Sequence, residues 1–389
     1  MKIVTFSTLF PNKIKPNHGI FVETRLRHLV KSGEISSRVV APVPWFPFTA
    51  ARFGHYAQFA RVPAAETRFG LQVEHPRFAL IPKFGMNFSP ILLANGAKQT
   101  LARMIDEGYD FDLIDAHYFY PDGVAAVRLG RYFNKPVVIT ARGSDISLIP
   151  RYATPRKLIQ WAATHADAII TVCNALKTEL GELGVPADKI TPLRNGVDLD
   201  RFQPGDRDAQ RASLGLDGFT LLSVGHLVPV KGHDLTIGAL PMLPGVTLML
   251  AGSGVEQGRL EAQARRLGVT ERVRFLGALP QPELARYYSA ADALVLASSR
   301  EGWANVLLEA MACGTPVVAS KVWGTPEVIA APAAGVLMEE RSEQGVATAV
   351  NQLRANYPER SATRRYAEGF SWEATTAGQL RLFRSLTGH

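Results

Sequence analysis

Cysteine is scarce in this sequence, with only Cys173 and Cys313 among 389 residues. The two lie in different halves of the chain, each within an apolar stretch, so they suggest neither a disulfide framework nor a metal site. We therefore predict a protein of the reducing cytoplasm. Apolar runs long enough to cross a bilayer are also missing, and the opening MKIVTFSTLF is interpreted as a buried strand rather than a signal peptide.

Acidic residues are rare at the start of the chain. Residues 1–104 contain 14 Lys and Arg but four Asp and Glu, whereas residues 199–389 contain 19 of each. This one-sided excess predicts an anionic partner for the first half: nucleic acid, an anionic lipid surface or a phosphorylated substrate. A basic surface that serves only solubility remains the alternative.

Signatures of several other functions are absent as well. No group of His, Asp and Glu has the spacing of metal ligands, so we expect neither a metal nor another cofactor. No recognised nucleic-acid motif accompanies the basic half, which argues against a nucleic-acid partner. Internal repeats and low-complexity tracts are missing too.

What the chain does contain is an alternation of short β-branched runs with helical segments, which indicates an α/β fold with parallel sheets. The pattern starts anew after RNGVDLDRFQPGDRD, residues 194–208, and so predicts two domains, 1–198 and 199–366. Ligands of open parallel sheets bind beyond the carboxyl ends of the strands, which favours a site in a cleft between the domains. Residues 367–389 are predicted to form a last helix that packs back on the first domain.

The stretch SSREGWANVLLEAMACGTPVVAS, residues 298–320, places one carboxylate before a predicted helix and another within it. The start of that helix leaves N–H groups around Ala304–Val306 that can bind phosphate or sugar oxygens. Glu301 can accept hydrogen bonds from sugar hydroxyls, and Glu309 can accept them from both hydroxyls of a ribose. We interpret the pair as a nucleotide-sugar site; two solvated glutamates beside an amphipathic helix remain the alternative.

This stretch resembles the C-terminal signature of the family 4 glycosyltransferases, in which seven residues separate the two glutamates. Further motifs resemble the family in the same order: PNHGIFV, DLIDAHYFYPDGVAA, RNGVD and SVGHLVPVKGHDL. The resemblance implies a retaining enzyme with the GT-B fold, two Rossmann-like parallel-sheet domains facing a central cleft. The opening HGIFVETRLRHL is most similar to members that build teichuronic acid and other bacterial exopolysaccharides.

The resemblance implies a role for each matched residue. Lys231 would stabilise the leaving diphosphate, and Gly232 would let the backbone approach it. His117 would lie against the donor sugar and Gly19 would bring its N–H to the diphosphate, although a structural histidine and a simple turn remain alternatives. The implied catalytic residues are His117, Lys231 and Glu301, and the implied donor-binding residues are Gly19, His226, Lys231, Gly232, Glu301, Gly302, Trp303, Ala304, Asn305, Val306 and Glu309.

Two positions depart from the family. His226 stands where members usually carry arginine, so an imidazole replaces a guanidinium with five donors. Arg142 stands where a histidine is usual and is a candidate to restore the lost charge. Asp145 either meets the acceptor or caps a helix, and the cap is the preferred interpretation. Asn195 is expected to shape the domain junction as much as to contact ligand.

The implied reaction takes a sugar from a UDP- or GDP-linked donor to a saccharide acceptor. The acceptor hydroxyl attacks from the face that the nucleotide leaves, and the departing phosphate accepts its proton, so no metal and no carboxylate nucleophile are expected.

An aromatic segment in the basic half bears on the acceptor. PVPWFPFTAARFGHYAQFARVP, residues 42–63, mixes aromatics with arginines as membrane-surface segments do. We therefore expect an acceptor linked to a polyprenyl diphosphate, and peripheral attachment to the inner face of an anionic membrane. An ordinary loop with core aromatics remains the alternative.

Three other functions compete with this interpretation. GSGVEQG, residues 252–258, resembles a dinucleotide fingerprint, but the next strand, VRFLG, ends without the acidic residue that NAD binding requires. A sugar-nucleotide epimerase or a phosphorylase would share the fold, and an epimerase would need no acceptor. Nucleic-acid binding by the basic half is the third, and digesting nucleic acid from a preparation would abolish it.

Overall fold

The computed structural model describes residues 1–80 and 85–388. They group into two units, which we call unit 1 (Met1–Arg194 with the segment from Glu373 onward) and unit 2 (Asn195–Trp372). The boundaries expected from the sequence, after residues 198 and 366, differ from these by a few residues.

Unit 1 is built on a mostly parallel sheet. Its strands are β1 (Lys2–Phe6), β2 (Ser36–Val40), β3 (Val43–Pro44), β4 (Ala65–Arg68), β5 (Leu71–Glu74), β6 (Arg77–Phe78), β7 (Leu113–His117), β8 (Val137–Ala141), β9 (Ala168–Thr171) and β10 (Ile190–Pro192). The main sheet has the order β10-β9-β8-β7-β1-β2-β5-β4, and β3 pairs with β6 separately. Strands β7 and β8 are buried along their whole length, as expected of strands covered on both faces.

Helices connect these strands. They are α1 (Ile20–Lys31), α2 (His55–Arg61), α3 (Gly85–Asp106), α4 (Val124–Phe133), α5 (Ser144–Ser147), α6 (Ala153–His165) and α7 (Asn174–Glu182). Helix α1 buries Val22, Leu26 and Leu29 on one face and packs them in a core with Ile3 of β1 and Val39 of β2. This spacing of three and four residues is the period of an amphipathic helix, which is why the sequence predicted it.

Unit 2 contains a second parallel sheet. Its strands are β11 (Thr220–Val224), β12 (Thr247–Ala251), β13 (Val273–Gly277), β14 (Ala293–Leu296), β15 (Val317–Ser320) and β16 (Gly335–Met338), in the order β13-β12-β11-β14-β15-β16. Its helices are α8 (Arg207–Leu214), α9 (His233–Ala239), α10 (Gln257–Arg266), α11 (Gln281–Ala290), α12 (Asn305–Ala312), α13 (Thr325–Val328), α14 (Glu343–Ala355) and α15 (Arg360–Glu368). Because β11 and β14 are parallel neighbours, the loops that follow them lie side by side.

The last helix, α16 (Trp372–Thr387), packs into unit 1 from its second residue onward. Its Leu380 and Phe383 are buried in the same core as α1. Thr375 donates a hydrogen bond to the carbonyl of Arg194. The C-terminal helix α16 therefore forms part of the hydrophobic core of unit 1.

The antiparallel hairpin of β4 and β5 has no counterpart in the sequence-based prediction. Both strands are four residues long, and β4 carries AETR, a sequence without an apolar alternation to mark it. The predicted parallel-sheet α/β architecture of both units is confirmed. Within the described residues, none of the helices combines the length and the apolar character needed to cross a membrane.

Candidate functional site

In unit 2 the structure brings Lys231 and Glu301 together. Lys231 ends a short 3-10 turn after β11, and Glu301 lies in the loop after β14. The Lys231 ammonium donates to Glu301 Oε1 at 2.6 Å, and the Ser298 hydroxyl donates to the same oxygen at 2.7 Å. Both side chains are partly exposed, at 24% and 11%. Two of the predicted catalytic groups, 70 residues apart in sequence, thus form one ion pair that solvent can reach.

Gly232 lets the turn that carries Lys231 pack against β14. Its φ of 67° lies in the left-handed region, and a Cβ there would come within 2.1 Å of the Ala297 carbonyl oxygen. A side chain at this position would therefore combine backbone strain with a steric clash. From the sequence we predicted that Gly232 lets the backbone approach the diphosphate. In the structure, the close approach is between Gly232 and the carbonyl of Ala297, just after β14.

Glu309 lies in α12 and is almost fully buried, with 9% of its surface exposed. Its Oε2 accepts a hydrogen bond of 2.8 Å from the hydroxyl of Tyr288, in α11. Burial raises the pKa of Glu309 to about 7, because the charged form loses its hydration. The alternative of a solvated glutamate is therefore wrong at this position, and the side chain is held in one orientation.

The start of α12 carries the remaining residues of the predicted donor loop. Trp303 and Ala304 are buried, and Gly302 and Val306 are half-buried. The helix begins at Asn305, whose side-chain oxygen accepts a hydrogen bond of 3.2 Å from the amide of Asn195. Ala304 has no polar side chain to cap the helix, and the N–H groups of Asn305 and Leu307 donate instead to the carbonyls of Trp303 and Ala304, at 3.1 and 3.0 Å.

His226 is exposed in the loop after β11. Its carbonyl oxygen lies 3.2 Å from Nε2 of His233, whose Nδ1 lies 3.0 Å from the hydroxyl of Ser223. Burial lowers the pKa of His233. The backbone of this loop is thus tied to the start of α9, while the imidazole of His226 reaches solvent.

In unit 1, His117 ends β7 and belongs to a buried polar network. Its Nε2 lies 3.2 Å from Oδ2 of Asp115, and its Nδ1 lies 2.6 Å from Nη2 of Arg142. Burial lowers the pKa of His117 to about 4 and that of Arg142 to about 9. Two positions singled out by the sequence, His117 and Arg142, are thus in direct contact.

Asp145 is not a helix cap, which corrects the preferred interpretation of the sequence. It is the second residue of α5, and its carboxylate turns back to accept from the N–H groups of Arg142 at 3.1 Å and Gly143 at 2.6 Å. A third bond, of 2.7 Å, comes from the N–H of Phe119 in the neighbouring loop. Asp145 therefore braces the loops after β7 and β8, and it is fully buried.

Gly19 precedes α1 and has a φ of 69°. A Cβ at this position would come within 2.2 Å of the carbonyl oxygen of Leu9, so the loop and the helix start meet closely here. The same loop is held by Asp122, which accepts from the N–H of Thr8 at 2.8 Å and from the hydroxyl of Ser7 at 3.3 Å. Burial raises the pKa of Asp122 to about 7.

The predicted membrane segment folds on the surface of unit 1. Of the side chains that the structure describes in residues 45–61, Ala57 is the one that is buried. The rings pack on one another instead: Phe48 stacks on Phe53 at 4.9 Å, and Phe46 lies edge-on to both. We call this segment the aromatic surface; it includes Trp45, which is 60% exposed. The alternative of core aromatics is therefore wrong.

Sequence reasoning missed several residues of these networks, notably Asp115, Asp122, Tyr288 and Gln379. Asp115 alone carried a signal, because it stands two residues before His117 in a strand and must face the same side. Among the described residues, no group of three or more His, Cys, Asp and Glu side chains has a geometry suited to a metal.

Family models match both halves of the chain. The model described as Glycosyltransferase Family 4 matches residues 28–201, and that described as Glycosyl transferases group 1 matches residues 206–370. The chain is also similar to curated enzymes named D-inositol 3-phosphate glycosyltransferase. The one from Frankia alni is 33% identical over 308 residues, which are 72% of this chain and 75% of the relative. The one from Segniliparus rotundus is 39% identical over 212 residues, 51% of this chain and about half, 47%, of that relative.

Solved structures share the fold. Sucrose-phosphate synthase from Thermosynechococcus elongatus has a TM-score of 0.80 at 22% identity, covering 99% of this chain and 98% of its own. HepE from Anabaena, solved in complex with UDP-glucose, has a TM-score of 0.75 at 22% identity, covering 99% and 100%. These likenesses confirm the GT-B fold class.

Proposed function

We propose that this chain, which belongs to the family 4 glycosyltransferases, transfers a sugar from a nucleoside diphosphate sugar to a saccharide acceptor with retention of configuration. The family and the curated relatives make it a glycosyltransferase. We propose, in addition, the nucleotide of the donor, the retention of configuration and the kind of acceptor. The observation that carries the proposal is the partly exposed ion pair of Lys231 and Glu301.

This ion pair suits a glycosyl diphosphate. When the donor binds, the ammonium of Lys231 exchanges its bond to Glu301 for bonds to phosphate oxygens, and Glu301 turns to a sugar hydroxyl. The phosphate gains negative charge as its bond to the sugar breaks, so the lysine stabilises the transition state more than the ground state. Because the pair is reached by solvent, this exchange needs no unfolding.

Glu309 suits the ribose of the nucleotide. Tyr288 holds one carboxylate oxygen at 2.8 Å, which fixes the direction of the other. The start of α12, at Asn305, supplies the positive end of a helix dipole, which suits the diphosphate between them. UDP or GDP is the expected nucleotide, and the UDP-glucose complex of HepE supports a donor of this class.

The reaction needs one bond to form and one to break. The acceptor oxygen bonds to the anomeric carbon from the face that the nucleotide leaves, while the bond between that carbon and the phosphate oxygen breaks. The departing phosphate takes the acceptor's proton, and the nucleoside diphosphate is released. Lys231 and the start of α12 supply the charge stabilisation, so we expect turnover to persist in EDTA.

For the acceptor we propose a lipid-linked intermediate of a cell-surface polysaccharide, met at an anionic membrane. The basic first half and the aromatic surface support it, because exposed Trp and Phe side chains suit the bilayer interface and arginines suit its head groups. Trp45 and Phe48 are 60% and 52% exposed. A soluble phosphorylated polyol is the second candidate, because the curated relatives are named for inositol 3-phosphate.

Thermal stabilisation tests the donor half. We expect UDP or GDP to raise the melting temperature of the wild type, and at 100 times its dissociation constant a ligand adds about 2.7 kcal/mol. Glu309→Ala is expected to shrink that shift, and Glu271→Ala, which removes an exposed carboxylate of the same unit, is expected to leave it unchanged. The proposal would be contradicted if NAD alone raised the melting temperature, or if none of the nucleotides changed it. Transfer to an acceptor then separates it from an epimerase.

Vesicle sedimentation tests the membrane half. At low salt we expect binding to phosphatidylglycerol vesicles and weak binding to phosphatidylcholine vesicles, with loss in the double variant Trp45→Ala/Phe48→Ala. Phe69→Ala is the matched control, because Phe69 is 66% exposed but lies outside the aromatic surface, with its ring 3.9 Å from the guanidinium of Arg27. Equal binding to both vesicle types, or unchanged binding by the double variant, would remove the membrane from the proposal.

A further inference from the structure

Both ring nitrogens of His117 are engaged inside unit 1. Nε2 lies 3.2 Å from Oδ2 of Asp115, and Nδ1 lies 2.6 Å from Nη2 of Arg142. A guanidinium has donors but no acceptor, so Nδ1 must accept and cannot carry the proton. The proton then sits on Nε2 and is donated to the Asp115 carboxylate. Each ring nitrogen of His117 therefore already has a hydrogen-bond partner within the protein before substrate binds.

The protonation state agrees with this assignment. Burial lowers the pKa of His117 to about 4, so the imidazole is neutral near neutral pH. A neutral ring in this tautomer offers one donor and one acceptor, and Asp115 and Arg142 take them both. His117 is only 1% exposed, whereas Arg142 is 8% exposed. Of the two, the arginine is the side chain that comes nearer to the surface.

The far side of the network is fixed by the last helix. Oδ2 of Asp115 also accepts from the side-chain amide of Gln379 at 3.0 Å. Oε1 of Gln379 in turn accepts from Nε of Arg25 at 2.9 Å, and Nη1 of Arg25 donates to the carbonyl of Leu193 at 3.0 Å. These bonds join α16 to β7 and α1, so Asp115 has little freedom to turn away from His117.

Arg142 is fixed at both ends as well. Its backbone N–H donates to Asp145, and its guanidinium lies 5.3 Å from the ring of Phe21, the second residue of α1. The bond to His117 sets the direction of the guanidinium between these anchors. Such an arrangement holds a positive fork in one orientation, which is the geometry that recognises phosphate oxygens.

We propose that His117 is a positioning residue which holds Arg142, and that Arg142 is the member of the pair that contacts the substrate, through a phosphate oxygen. The inference rests on the proposed function, because it needs a phosphate on the donor or on the acceptor. It departs from the role that the family resemblance implies for His117, and the reason is that this chain carries arginine where a histidine is usual.

Two replacements of His117 separate positioning from direct contact. In His117→Asn the amide oxygen takes the place of Nδ1 and still accepts from Arg142, although the bond to Asp115 is lost. In His117→Gln the amide reaches the place of Nε2, so it keeps Asp115 and loses Arg142. We expect the KM of His117→Asn for the phosphate-bearing substrate to stay close to the wild-type value. We expect His117→Gln and Arg142→Gln each to raise that KM about tenfold or more.

A double-mutant cycle then shows whether the histidine acts through the arginine. If it does, His117→Gln/Arg142→Gln is no worse than Arg142→Gln alone. Additive losses, or equal KM values for the Asn and Gln variants, would overturn the proposal. If His117→Gln does not fold, Arg142→Lys decides: it leaves His117 and Asp115 in place, and unchanged KM values for both substrates would overturn the contact.

The KM values for the two substrates show whether the phosphate that Arg142 contacts belongs to the donor or to the acceptor. A rise in the KM for the nucleotide sugar, with weaker binding of UDP or GDP, assigns Arg142 to the donor diphosphate. A rise in the KM for the acceptor alone, with weaker binding of inorganic phosphate, assigns it to an acceptor phosphate. Failure of the proposed function looks different, because the wild type would then transfer no sugar and its melting temperature would not respond to nucleotides.

Discussion

In unit 2 the ion pair of Lys231 and Glu301 is reached by solvent, whereas the charged side chains of the candidate site in unit 1 lie in the interior. Lys231 and Glu301 form a simple pair at the ends of two neighbouring strands, 24% and 11% exposed. Asp115, His117 and Arg142 are all at least nine-tenths buried and bonded in series. An exposed pair can exchange its partners for a ligand, but a buried network can do so only at the cost of leaving a charge unpaired. We conclude that the Lys231–Glu301 pair of unit 2 is exchangeable and that the polar network of unit 1 is fixed.

The largest effect is expected where the fixed network is broken. Asp145→Ala leaves the N–H groups of Phe119, Arg142 and Gly143 without their acceptor, so we expect unit 1 to lose about 3–5 kcal/mol of stability. Urea unfolding followed by circular dichroism measures it. Asp110→Ala, at a surface ion pair, is the control and should change stability by less than about 1 kcal/mol. A small effect at Asp145 would mean that the buried network is not rigid.

A smaller effect is expected from the partner of Glu309. Tyr288→Phe keeps the ring but removes the donor to Glu309 Oε2, so we expect a loss of about 1 kcal/mol in stability and a severalfold weaker affinity for UDP or GDP. Calorimetric titration measures the affinity. Tyr287→Phe removes a hydroxyl from the adjacent position of the same helix and should leave the affinity as it is. If the two variants behave alike, Tyr288 does not orient Glu309.

The smallest effect is a change in pH dependence. The pKa of Glu309 is raised from 4.5 to about 7 in the folded protein, so its protonated form stabilises the fold. That contribution is fully present below about pH 4.5 and is lost as the pH rises through about 7. Glu309→Gln imitates the protonated carboxyl and should remove this part of the pH dependence. Parallel stability curves for the two proteins between about pH 5 and pH 8 would show that Glu309 titrates normally.

The same contrast explains what the sequence predicted and what it did not. Lys231 and Glu301 were predicted to share a site because the motifs that carry them resemble two signatures of one family, and each motif follows a recognisable strand of a parallel sheet. The partners of the buried groups have no local pattern: Gln379 meets Asp115 across 264 residues, and Tyr288 meets Glu309 across 21. The cap predicted for Asp145 was wrong because a carboxylate at a helix start can also turn backward, and spacing does not show which way.

The aromatic surface gives a further example. Composition marked residues 42–63 as aromatic and basic, but could not decide between a core loop and a surface. That choice depends on whether other elements cover the rings, and in the structure Phe46, Phe48 and Phe53 cover one another. The exposure of these rings depends on how the whole unit packs, so it cannot be predicted from the sequence of one segment.

The most direct test of the account is the single-turnover rate of sugar transfer by Lys231→Ala at saturating donor. We predict a rate lower by about 10² or more, because the leaving diphosphate loses its positive partner, and partial recovery in Lys231→Arg. Lys157→Ala, which removes an exposed lysine of unit 1, should transfer at the wild-type rate. A Lys231→Ala enzyme that transfers sugar as fast as the wild type would contradict the claim that the Lys231–Glu301 pair is the donor site.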